Sequence, residues 1–154
     1  MQLSGIFLGL GGQTFTQLLR GISIGKLKTF QFYDRMKARL HLPKLNSENI
    51  RKASPRLWTR LSEGDEDFAT DLAQSILISH LDMIKAVLDF TGIPHEDGFF
   101  AKDVDAKPFL TEGWQDRVFE KFRGSYPEPP LLFYINHLGL ELGKAETPFI
   151  PAAA

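Results

Sequence analysis

Residues 65–92 constrain the fold more than any other stretch. Asp65 stands where a helix cap is wanted, Glu66 and Asp67 place carboxylates against the positive helix end, and Gly92 followed by Pro94 forbids continuation. Between these limits Asp67, Asp71, Gln74, Asp82, Lys85 and Asp89 recur at steps of three and four. They form one narrow polar stripe, broken at Ile78. The rest of the circumference is apolar: Phe68, Leu72, Ile76, Leu77, Leu81, Ile84, Val87 and Leu88. A helix apolar on so many sides must be central, covered by several neighbours.

The flanks read as helical too. Phe15, Leu18, Leu19 and Ile22 keep helical spacing over 13–22, and Leu27, Phe30, Tyr33, Met36 and Leu40 keep it over 26–41. Ser47 suits the cap of a short helix to Ala53. Ser54-Pro55 suits a restart, because proline is harmless in a first turn. Thr111 to Gly124 and Pro127 to Gly143 bracket two more helices. The expected fold is all-α: a single-domain bundle of about five to six helices over 13–143, with a long loop near 93–110 and extended termini. Residues 1–12, rich in glycine, read as a flexible or packed strand-like arm, and 144–154 as an extended tail held open by Pro148 and Pro151.

Composition excludes several functions. The absence of cysteine rules out disulfides, thiolate metal sites and a cysteine nucleophile, and fits a cytoplasmic chain. No stretch has the ~20 apolar residues of a transmembrane span, and 1–19 lacks the basic start and cleavage site of a secretory signal. Gly9-Leu10-Gly11-Gly12 lacks the Lys-Ser/Thr ending of a phosphate loop, and no Gly-x-Ser-x-Gly elbow occurs.

Charge is sorted along the chain. Residues 20–60 hold eleven Lys/Arg against Asp34 and Glu48, a net +9, whereas 61–154 hold seven bases and seventeen acids, a net −10. Such asymmetry points to a partner, either outside the chain or within it. Arg35, Arg39, Lys44, Arg51, Lys52, Arg56 and Arg60 are the candidates for contact with an anion or a partner, with Tyr33 and Trp58 near enough to stack on bases. Ile78 is the candidate interface residue, because it interrupts the polar stripe. His80, on the apolar side between Ile76 and Ile84, is the candidate for a buried ligand contact.

Metal-type residues do not assemble into a site. His137 and Glu141 lie one turn apart but make only two ligands of the three or four a zinc site wants. His95-Glu96-Asp97 with Asp103 and Asp105 lacks the spacing of a calcium loop, and turn chemistry accounts for those residues. No catalytic residue, metal or cofactor is expected. The sequence is read as a protein–protein interaction or self-assembly module, its partner being itself or another protein. The alternatives are an anionic ligand or nucleic acid on 20–60, and a helical enzyme or cofactor binder around His80.

Overall fold

The stretch expected as one central helix folds as two. In the computed structural model, which describes residues 2–151, α6 runs Glu66–Ser79 and α7 runs Leu81–Thr91. His80 between them leaves the helical region at φ −129°, ψ 36°, and its carbonyl accepts the Ile84 N–H that opens α7. The cause lies in the turn before the break. Ser75 and Ser79 hydroxyls donate to the carbonyls of Leu72 and Ser75, and such back-bonding bends helices. The Ser79 hydroxyl also accepts the Ser23 N–H at 2.8 Å, tying the helix end to a neighbouring segment.

The break is also a boundary. The described residues form two compact units, 2–79 and 80–151. Among the described residues there are nine α-helices rather than five to six, with 65% helix and one two-stranded sheet. None of these helices is long and apolar enough to cross a membrane.

The 2–79 unit contains α1 (Leu3–Leu10), α2 (Gly12–Arg20), α3 (Ile24–Thr29), α4 (Tyr33–Arg39), α5 (Ser47–Ser62) and α6. The expected strand-like arm is helix α1. Its glycines weaken it by ~1 kcal/mol each, but Ile6 and Phe7 are fully buried and Glu66 caps it from a distance. Ser4 donates its N–H and its hydroxyl to that carboxylate, which therefore sits at the positive end of α1. Met1, the first residue of the expected arm, lies outside the described residues.

The expected restart at Ser54-Pro55 does not occur either. Helix α5 passes through Pro55, and its cap is Asn46, whose side chain accepts the Asn49 N–H, rather than Ser47. Proline inside a helix costs ~3 kcal/mol. Ile50, Ala53, Leu57 and Leu61 bury one face on both sides of the proline, and that burial offsets the cost. Phe15 of α2 joins this core through ring contacts to Phe7 and Trp58.

The 80–151 unit contains α7, strands β1 (His95–Glu96) and β2 (Phe99–Phe100), a 3-10 turn at Lys107–Phe109, α8 (Trp114–Phe122) and α9 (Glu128–Glu141). The loop expected at 93–110 is partly ordered by a hairpin. Asp97 and Gly98 both take positive φ, 53° and 95°, as a two-residue turn requires. This hairpin is packed down: a Cβ on Gly98 would touch Leu81 and Ile84, and the His95 ring bonds Asp89 at 2.6 Å. Helix α8 starts at Gly113, φ 80°, rather than being capped by Thr111, whose hydroxyl accepts from Arg117 instead. Residues 144–151 form neither helix nor strand, bend at Glu146 and Thr147 and lie on their own unit; the last three residues of the expected tail, 152–154, fall outside the described residues.

Candidate functional site

The basic segment is the first candidate, and four of its guanidiniums bond within the 2–79 unit, Arg39 and Arg60 half-buried, Arg35 and Arg56 still exposed. Asp71 of α6 is 3% exposed and meets two arginines of α4. Arg39 Nε donates to Asp71 Oδ2 at 2.6 Å, and Arg35 donates Nε and Nη2 to Oδ1 at 3.0 Å. Their spacing of four residues puts both on one face of α4, and a carboxylate on the adjoining helix takes them as a pair. Arg56 and Arg60 serve the same junction from α5. Arg56 donates to the Leu40 carbonyl at 2.9 Å and Arg60 to the Arg39 carbonyl at 2.7 Å, so both hold the C-terminal end of α4, whose carbonyls lack helical partners. Arg60 also bonds Asp65 and lies 4.1 Å from the centre of the Phe68 ring. The Asp65 carboxyl is held below its usual range, chiefly by the Phe68 N–H and then by Arg60.

The aromatics expected to stack on bases are engaged as well. Lys28 lies over the Tyr33 face, the Tyr33 hydroxyl accepts the Leu45 N–H, and Trp58 packs on Phe15. Lys44, Arg51 and Lys52 are exposed, and Lys52 pairs with Glu48 one turn away. The structure thus gathers Arg35, Arg39, Arg56 and Arg60 around α4 and leaves Lys44, Arg51 and Lys52 outside that cluster. Apart from Lys52–Glu48, the ion pairs among the described residues of 2–79 use acids from beyond residue 60. That unit holds eleven bases and seven acids, a net +4, and 80–151 holds seven and twelve, a net −5.

Ile78 is half-buried in the last turn of α6. His80 is half-buried at the start of α7, and its Nε2 is shut off from solvent with no hydrogen-bond partner. Burial lowers its pKa, so the ring is neutral at pH 7. Among the described residues no three His, Asp or Glu side chains converge as a metal site would need.

His137 was not singled out as a buried group, yet its side chain is only 15% exposed, beside the Phe133 ring. Desolvation pushes its pKa down to about 4 and pushes Glu141 up, so Nδ1 and the carboxylate 3.6 Å away are not an ion pair at pH 7. Tyr134, on the same helix, is raised by burial and then by Glu141. An open cleft of about 460 Å³ lies at the start of α8, lined by Thr111, Gly113, Gln115, Asp116 and Lys144 among others. It mixes both charge signs and presents no nucleophile with an adjoining base.

No family model, curated protein or solved structure matches this chain. The chemistry of its own surface therefore carries the functional reading.

Sequence reasoning also missed Asn136. It is fully buried in α9 among Leu131, Tyr134, Ile135 and Leu138. The available signal was an amide within an apolar helical set, because a buried amide needs partners. Those partners are the Leu132 carbonyl and the main chain of Phe149.

Proposed function

We propose that this chain is a protein–protein interaction or self-assembly module without catalysis, acting in the cytoplasm, and that its contact surface is the loop region of the 80–151 unit. One observation carries this reading. Phe99 is 54% exposed, and Val104 and Phe109 are exposed with it, on a segment stapled to α7 by the hairpin and by Phe109 against Gly92; Phe90, on α7 itself, is exposed too. Ordered segments that leave large apolar side chains in water are characteristic of interaction surfaces. The hydrogen bonds that Arg35, Arg39, Arg56 and Arg60 make within the unit support this reading over a polyanion site, which would draw on bases free of such partners.

Light scattering over a concentration series tests it. At concentrations well below millimolar the wild type is expected to rise above monomer mass, and Phe99→Ser combined with Phe109→Ser is expected to stay monomeric while keeping its helical circular dichroism. Equal masses for the two proteins throughout that range would remove self-assembly through this loop.

The second reading keeps Lys44, Arg51 and Lys52, which are exposed and stand outside the α4 cluster, as contacts for an anionic ligand or nucleic acid. The buried, unpartnered Nε2 of His80 is the observation behind the third, a ligand held at that ring.

A further inference from the structure

The C-terminal tail is held by α9 through a device suited to recognising a peptide. Asn136 Oδ1 accepts the Phe149 N–H at 2.6 Å, and its Nδ2 donates to the Phe149 carbonyl at 3.1 Å. One buried amide thus satisfies both main-chain groups of a single extended residue. The same Nδ2 also donates to the Leu132 carbonyl at 2.8 Å, a bond within α9 that helps to fix the amide plane. Recognition of this kind reads backbone rather than side chain, as strand addition does.

Selectivity comes from what flanks that residue. The Phe149 ring meets the Phe119 ring edge-on at 6.3 Å between centres. Pro148 keeps the approach extended and removes conformational freedom that docking would otherwise have to remove. A smooth floor is supplied by Gly139. A Cβ there would lie 2.9 Å from the Ala145 Cβ and 3.3 Å from the Trp114 ring, so no other residue lets the tail lie so close to the helix. The chain reaches this floor by reversing at Gly143, φ 66°, with the Lys144 N–H bonded to the Gly139 carbonyl. Between Lys144 and Phe149 no backbone hydrogen bond holds the tail among the described residues. It is a strap fastened at its two ends, by the Lys144 N–H and by Phe149.

We propose that this face of α8 and α9 is a binding site for residues 144–151 of a second copy, the chain's own tail being the resident competitor. Exchange across Gly143 preserves every contact just described, which is the condition for swapping a segment between identical chains. The inference rests on the self-assembly reading but uses a different surface from the loop aromatics, so the two fail separately. Tethering gives the resident tail an effective concentration of roughly millimolar, so exchange belongs to high local concentration.

The probe is a fluorescent peptide with the sequence of residues 144–151. Full-length Phe149→Asp, whose own tail cannot dock, is expected to bind it saturably and at least ~10-fold more tightly than the wild type, whose tail competes. Adding Asn136→Leu to Phe149→Asp is expected to abolish that binding. No binding to Phe149→Asp, or equal binding to it and the wild type, overturns the site. A measurement on the unaltered chain guards against a misfolded variant. At about 5 mM peptide, above the tethered concentration, hydrogen exchange at the Phe149 amide should accelerate while α9 stays protected. An unchanged Phe149 amide overturns the site as well. Exchange between copies is read by mass: the wild type at roughly millimolar chain should show dimer that excess peptide dissolves, whether or not Phe99 and Phe109 are replaced. A mass indifferent to peptide overturns the exchange.

Discussion

Replacing Arg35 and Arg39 together with alanine is expected to destabilise the 2–79 unit by about 3–5 kcal/mol, because it strands the Asp71 carboxylate in a site that water barely reaches. Breaking a buried pair is costly mainly through the charge left behind, not through the attraction lost. The two arginines are unequal. Arg35 is 61% exposed at its side chain and also lies over Phe32, whereas Arg39 is 35% exposed and makes the 2.6 Å bond. Arg39→Ala should therefore account for most of the loss. Adding Asp71→Leu to the double variant should recover most of it, since an apolar residue of similar volume replaces such clusters at little or no cost. Hydrogen exchange of α4, α5 and α6 against urea reads both effects in the right unit. A loss below about 1 kcal/mol in the double variant would mean that the cluster behaves as an ordinary surface pair.

The second large effect is acid sensitivity of the 80–151 unit. His137 has a folded pKa of about 4 against an unfolded value near 6.5. Between those values the unfolded chain binds a proton that the folded chain refuses, so stability rises with pH and falls as the solution is acidified. Full stability is present above about pH 6.5, and the loss levels off below about pH 4, at an upper bound of about 3 kcal/mol. His80 is shifted the same way and adds to the loss. Glu141 works in the opposite sense. Its raised pKa makes a contribution that is present at low pH and lost as pH rises, so acidification returns part of it. Urea unfolding at pH 7 and pH 5, read by exchange in α8 and α9, should show the wild type losing stability. His137→Leu, which removes both the titration and the unpaired Nδ1, should lose clearly less. An identical loss in that variant would assign the acid sensitivity to other groups.

Local signals were legible where the partner lay within a turn. Asp65 caps α6 by accepting the Phe68 N–H, Gly92 ends α7 with φ 84°, and Gly143 reverses the chain after α9. Signals failed where the partner was remote. The cap of α1 comes from Glu66, 62 residues from Ser4. The polar stripe of α6 placed Asp71 among solvated residues, but the arginines of α4 make that position one of the most buried polar sites in the chain. Pro55 looked like a helix start because a local rule puts proline in a first turn, and only the burial of Leu57 and Leu61 with Ile50 shows why the helix continues. The break at His80 turns on Ser75 and Ser79 hydroxyls, which a count of apolar positions ignores.

The charge split itself takes a different meaning. It changes sign near residue 61, whereas the structural boundary falls between Ser79 and His80. The acids at 65 and 71 belong with the arginines they meet, inside one unit. Positive charge in 20–60 is to that extent a fastening of α4 and α5 to α6.

Retention of the chain on a mixed DNA and RNA pool, titrated with salt, tests this most directly. Internal engagement of Arg35, Arg39, Arg56 and Arg60 predicts no salt-dependent retention once Lys44, Arg51 and Lys52, which are exposed, are replaced by alanine. Retention by that triple variant that falls linearly with the logarithm of salt concentration, with a slope of several units, would contradict it, because that slope counts phosphates neutralised by bases free to reach them.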